Sequence, residues 1–99
     1  MGLDFAIDEL YSSGWTALDT AGCKPHDDGR WVPSLDRIGR ELQKLNLSLS
    51  IRHVQLFDCY RAEWTDSTGS VLGSVVGATE IEAAVYALAQ IRRSGALSS

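Results

Sequence analysis

At 99 residues, with 44% hydrophobic and 22% charged side chains, the chain has the composition of one folded domain with enough apolar surface for a core, which excludes a disordered or disulfide-stapled sequence. Thirteen acids against nine bases give a net charge of −4 and a pI near 4.9, a balance that argues against a nucleic-acid binder relying on Lys and Arg to hold phosphates. With two cysteines, no basic-then-apolar leader and no apolar run longer than the Gly-rich stretch from Val71 to Ala78, the expectation is a cytoplasmic chain with reduced thiols and no membrane attachment. Ala6 also stands where an N-myristoylated start has Ser or Thr.

Ala6, Ile7, Leu10 and Tyr11 recur at helical spacing and predict a helix over residues 4–13, with Asp4 as N-cap and Gly14 as its left-handed stop. From Trp15 to Pro33 periodicity disappears. Gly22, Pro25, Gly29 and the pair Asp27-Asp28 read as a long surface connection, with a short extended piece at Trp15–Leu18 and the ends pinned by Trp15 and Trp31.

Ser34 caps a second helix whose Leu35, Ile38, Leu42 and Leu45 form one apolar stripe, with an Arg37–Glu41 pair beside it and Asn46 as its stop. Leu47, Leu49 and Ile51 then alternate with Ser48, Ser50 and Arg52 as a half-buried strand. A second strand covers Cys59 to Thr65, with Tyr60, Ala62 and Trp64 on one face. Asp66-Ser67-Thr68-Gly69 is a hairpin turn, with Gly69 available for positive φ. The third strand, Ser70 to Val76, is apolar on both faces: Val71 and Val75 on one, Leu72 and Val76 on the other. Both faces should therefore be covered. Thr79 and Glu82 make a capping box for a last helix with Ile81, Ala84, Val85, Leu88 and Ile91 in its buried stripe, Arg92 and Arg93 in its last turn and Gly95 as its end.

The expected fold class is α+β: a three-stranded antiparallel β-meander in α-α-β-β-β-α order, with helices packed on the sheet. Residues 1–33 are too few for a core of their own. They are expected to dock on an αβββα core, residues 34–93, as part of a single domain 1–99. Closing the side of the sheet that exposes Leu72 and Val76 would give a three-layer sandwich, and a homodimer across that face would cover the same residues.

Constellations with chemistry are sparse. Cys23, His26, His53 and Cys59 are a possible closed zinc set, although His53-x5-Cys59 is not a knuckle spacing; Cys59 reads equally as a small buried hydrophobe and His26 as a solvated loop residue. His26-Asp27-Asp28 carries donors for a hard cation without an EF-hand pattern. His53 near Cys59 is the one thiol–imidazole pairing, with no orienting third residue. Gly69, Gly73 and Gly77 are spaced along a strand instead of gathered at a phosphate-binding turn. The reading is non-enzymatic, with no catalytic residue, cofactor or metal assigned.

The run Gly69-Ser70-Val71-Leu72-Gly73-Ser74-Val75-Val76-Gly77-Ala78-Thr79, leading into an Ala-rich helix, resembles the third strand and last helix of double-stranded RNA-binding domains. That family opens its last helix with lysines, whereas this chain has Thr79-Glu80-Ile81-Glu82, so phosphates would meet carboxylates. Arg37, Arg40, Lys44, Arg52 and Arg61 are what remains for a basic face. A second resemblance, carried by Gly14-Trp15, Gly29-Arg30-Trp31-Val32-Pro33-Ser34, Tyr60-Arg61-Ala62-Glu63-Trp64 and Ala78-Thr79-Glu80-Ile81-Glu82-Ala83-Ala84-Val85, is to small phage ABA-sandwich domains. It implies a helix–sheet–helix sandwich and carries no activity.

On the last helix Ala83, Ala87 and Gln90 fall off the core stripe, and Glu82, Tyr86 and Gln90 form an outward line. With Leu72 and Val76 these are the expected partner surface. The functional expectation is a domain acting through protein contacts with a partner the sequence does not identify, a homodimer among the options. A degenerate RNA-binding module and a zinc-stabilised domain are the alternatives.

Overall fold

The computed structural model describes residues 3–15, 22–26 and 29–93. Along the chain run α1 (Leu3–Ser12), β1 (Cys23–Pro25), β2 (Trp31–Pro33), α2 (Leu35–Gln43), β3 (Ser48–Val54), β4 (Cys59–Thr65), β5 (Val71–Gly77) and α3 (Glu80–Arg93). The fold is α+β, with helices packed against two antiparallel sheets, the ribbon β1-β2 and the sheet β3-β4-β5. The ribbon adds two strands to the expected order.

That ribbon occupies ground expected to be irregular, and it is held from outside. The Tyr11 hydroxyl donates to the Trp31 carbonyl at 2.9 Å and accepts from the Trp31 amide at 3.1 Å. Asp4 meets His26 and Asp8 meets Arg30, each at 2.5 Å. Asp4 thus lies within the first turn of α1 and reaches across to the ribbon, where the sequence suggested an N-cap. Trp15 anchors the connection as expected: its ring is buried and stands edge-on to Tyr11 at 5.4 Å between centroids. Trp31 is tied by its backbone, with its ring partly exposed. Most of the suggested extended piece at Trp15–Leu18, Asp27-Asp28 and the Gly95 helix end lie outside the described residues.

α2 begins and ends by local chemistry. The Ser34 hydroxyl accepts from the Arg37 amide at 3.2 Å. At the other end Asn46 takes φ 60. The Leu47 amide reaches the Leu42 carbonyl at 2.9 Å and the Asn46 amide reaches Gln43 at 3.0 Å, a Schellman closure that buries Leu47 with Leu42. Ile38 and Leu42 are fully buried, whereas Leu35, expected in the same stripe, is exposed in the first turn.

α3 is the centre of the molecule. Its capping box forms: the Glu82 amide donates to Thr79 Oγ1 at 3.2 Å, and the Glu82 carboxylate accepts from the Ala78 amide at 2.5 Å, one residue earlier than a standard box. Gly77 permits this, because a Cβ there would fall 2.9 Å from the Glu82 carboxylate and 2.7 Å from the Ala83 amide nitrogen. α3 packs on the inner face of the sheet on one side and along α1 on another. Ala83 and Ala87, expected off the core stripe, are fully buried with Ala84, Val85 and Leu88 in the same core as Ala6, Ile7 and Leu10 of α1. Small side chains let two helices approach closely. Glu9–Arg93 and Ser13–Arg92 contacts tie the far ends.

This packing overturns the three-layer expectation. α1 covers α3, not the outer face of the sheet, and α2 also lies with α3 on the inner side. No described element covers Leu72 and Val76, which remain 55% and 59% exposed. The helix–sheet–helix sandwich implied by the phage-domain resemblance is therefore not the arrangement found.

Trp64 supplies the contact that seats β5. Its indole lies over Gly73, the residue paired with it across the ladder, and a Cβ at Gly73 would stand 2.9 Å from Trp64 Cε2 and closer to Cζ2. Gly73→Ala is expected to lower unfolding stability by about 1–3 kcal/mol through this overlap, measured by urea denaturation; a change below about 0.5 kcal/mol would show that Trp64 does not fill this space.

Candidate interaction surface

Register assigns the faces of the sheet. Arg61 pairs with Arg52 on one side and Val76 on the other, and Glu63 pairs with Ser50 and Ser74. The outer face divides into two halves of opposite character. On β3 and β4, Glu63 lies 3.3 Å from Arg52 and 3.8 Å from Arg61, and Arg61 donates to Ser74 Oγ at 3.4 Å. On β5 the outward side chains at the two ends are Leu72 and Val76.

A β-bulge enlarges the apolar half. Thr65 pairs with Val71 but Trp64 pairs with Gly73, so Leu72 is an extra residue on β5. Val71, expected on the opposite face from Leu72, is itself 57% exposed. Of the inward pair expected, Val75 alone is half-buried against the core. β5 is also an edge strand, since the sheet order ends with it. It contains no charged residue and no proline in seven positions. The opposite edge, β3, carries Arg52 and His53 and presents Ser48 and Ser50 outwards, the usual protection against pairing with another chain.

Hollows flank β5 along its length. One of about 520 Å³ lies between Leu45, Leu47, Trp64, Leu72 and Ile91; another of about 600 Å³ lies between Phe57, Val75, Val76 and Tyr86. The second is bordered by the β3–β4 hairpin tip, where Leu56 and Phe57 are 83% and 73% exposed. Sequence reasoning missed that tip. Its signal was a Leu-Phe pair between two strands where turn residues belong. Phe5 of α1, also exposed, continues the surface beside Val75, Tyr86 and Gln90.

Of the expected partner residues, Leu72, Val76 and Gln90 are exposed and Tyr86 is half-buried, and the structure gathers them around β5. Glu82 is 6% exposed, because its carboxylate turns back to cap the helix, so it does not belong to an outward line. Burial, with the carboxylates of Glu82 and Glu9, pushes the Tyr86 phenol above its usual 10.0, keeping it a neutral hydroxyl.

The other sets are dispersed. Cys23 lies 3.9 Å from an Arg37 nitrogen, and His26 pairs with Asp4. His53 pairs with Asp58 at 3.0 Å and stands 5.0 Å from the Tyr60 ring on the inner side. Cys59, next along the strand, faces outwards. Among the described residues no three His, Cys, Asp or Glu side chains could share a metal ion. Arg37 and Lys44 meet Glu41 on α2, which also carries Arg40, whereas Arg52 and Arg61 meet Glu63 on the outer face of the sheet, so the five basic residues do not make one face. A further cavity of about 580 Å³, between Leu3, Pro25, Val32, Leu35 and Ile81, lies where the ribbon meets the helices.

Comparison with protein-family models, with curated proteins and with solved structures gives no match. No described helix is long and apolar enough to cross a membrane. The surface must therefore be read from its own chemistry.

The turn that delivers β5 is held by one carboxylate. Asp66 Oδ1 accepts from Thr68 Oγ1 at 2.6 Å, the Thr68 amide at 2.9 Å and the Ser70 amide at 3.0 Å, while Gly69 takes φ 88. These bonds, the Thr68 hydroxyl foremost, hold the Asp66 carboxyl below its ordinary 3.8. A carboxyl depressed in the folded state stabilises it above the unfolded value and loses that contribution as pH falls through the folded value. An NMR titration should place the Asp66 midpoint below 3.8, with the Thr68 and Ser70 amide shifts moving in step. A midpoint at or above 3.8 would mean that the turn is not held this way.

Proposed function

We propose that the chain is a non-catalytic interaction domain that works by strand addition at the β5 edge. One observation carries the reading: β5 is an uncharged, proline-free edge strand with Val71, Leu72 and Val76 open to solvent beside it. A strand edge presents unpaired amides and carbonyls, and main-chain pairing to them gives affinity whatever the incoming sequence, while flanking pockets select its side chains. The hollows at Leu72 and at Val76 are such pockets. The non-catalytic part is supported by the dispersal of the histidines and cysteines into separate local pairs.

A nucleic-acid reading is weaker on the same surface. Glu80 and Glu82 occupy the first turn of α3, and the arginines of the outer face share Glu63.

Replacing Leu72 and Val76 together by lysine puts charge on the face without touching the core. Unfolding stability should stay within about 0.5 kcal/mol per site, because both side chains are surface-exposed. Complexes that the wild-type chain forms, its own oligomers included, should be lost from the doubly substituted bait in parallel cross-linking and native mass spectrometry. Retention of the same complexes by the variant would contradict the proposal.

A further inference from the structure

We infer that the occupant of the β5 edge is a second copy of this chain, paired antiparallel about a two-fold axis at Ser74; this rests on the edge reading above and names its partner. Strand pairing about Ser74 sets Leu72 opposite the partner's Val76, Gly73 opposite the partner's Val75, and Ser74 opposite itself. Leu72 and Val76, two of the three apolar residues that β5 leaves open, thus cover each other twice, once on each side of the axis, and each Gly–Val pairing sets a missing side chain against a bulky one. The spacing of β5 is self-complementary, a condition that an isologous interface requires and a foreign strand does not.

Charge agrees. α3 turns back along β5, so that Glu82 lies by Gly77 and Ile91 by Leu72. The same two-fold sets α3 antiparallel to its copy, with Tyr86 and Gln90 nearest the axis. The exposed Glu80 of the first turn then runs towards the basic last turn, Arg92 and Arg93, of the other protomer, while Glu82 stays turned back on its own cap. This complementarity arises only in the antiparallel arrangement. On the outer side Glu63 and Arg61 remain behind β5 and meet no like charge across the seam.

Size sets the strength. Seven residues of strand span about 23 Å, and a band of that length reaching from Leu72 to Tyr86 covers roughly 500 Å² per protomer, below the ~800 Å² of a standard interface. The dimer is therefore concentration-dependent. It joins two sheets into one of six strands, leaving β3 as the outer edge at both ends.

Sedimentation velocity from micromolar to submillimolar protein tests this. The wild-type mass should rise with concentration from 10.8 kDa towards twice that value. Leu72→Lys should weaken the dimer about tenfold or more, since the introduced lysine faces an apolar residue in each half of the seam. Adding Val76→Glu should restore association to within a few-fold of wild type, because in this register each introduced lysine faces an introduced glutamate. A dimer insensitive to Leu72→Lys, or one that the second substitution fails to restore, overturns the Ser74 register. A wild-type monomer at every concentration overturns the second copy as occupant. If the wild-type bait then still captures complexes that the Leu72→Lys, Val76→Lys bait loses, the edge reading survives. If it captures none, that reading falls too.

Discussion

The structure depends on how closely α3 can be approached. Its alanines are buried on the side of α1 as well as beneath the sheet, and larger side chains would hold α1 away from that contact. With α1 spent on α3 and α2 beside it, the helices stand on one side of β3-β4-β5. The outer face is left to its own side chains. On two strands these are an ion-pair cluster, and on the third they are aliphatic. The open apolar edge is thus a consequence of the core arrangement, with Gly77 and Glu82 fixing where α3 begins and Gly73 and Trp64 fixing where β5 lies.

Surface pairs around this core do lesser work. Asp4–His26 and Asp8–Arg30 join the ribbon to α1 through well-exposed carboxylates, where an ion pair contributes at most about 1 kcal/mol and is screened by salt. The buried Trp15 and the paired hydrogen bonds of Tyr11 to Trp31 are the stronger tether. The β5 edge needs no such tether, because its turn is closed locally by Asp66 and its inner side by Trp64.

Much of the framework was legible in the residues, for identifiable reasons. Ser34, Asn46, Asp66 and the Thr79–Glu82 box act on backbone groups a few positions away, so their effect can be read from spacing alone. Alternation in Leu49–Ile51 and Tyr60–Trp64 likewise reports a local geometry. What escaped depends on distant partners. The β1-β2 ribbon has three-residue strands containing Pro25 and Pro33, and its ties come from α1, some twenty residues earlier. The exposed side of α3 escaped because alanine is equally at home buried or open, so Ala83 and Ala87 gave no direction. Glu82 was placed outwards by helical spacing although its capping role already required it to turn back. For the candidate surface, the two-faced apolar pattern of β5 showed that cover was wanted, but not that α1 would go elsewhere. Val71 escaped because a bulge changes the alternation on which face assignment relies.

Residue-resolved hydrogen exchange in dilute solution tests the open β5 edge most directly. Amides of β5 that point towards β4 should be protected and the alternate amides, pointing away, should exchange at nearly the rate of free chain, with protection of the second set appearing only as protein concentration rises. Equal protection of both sets at every dilution would contradict the account, because some part of the same chain would then already cover the edge.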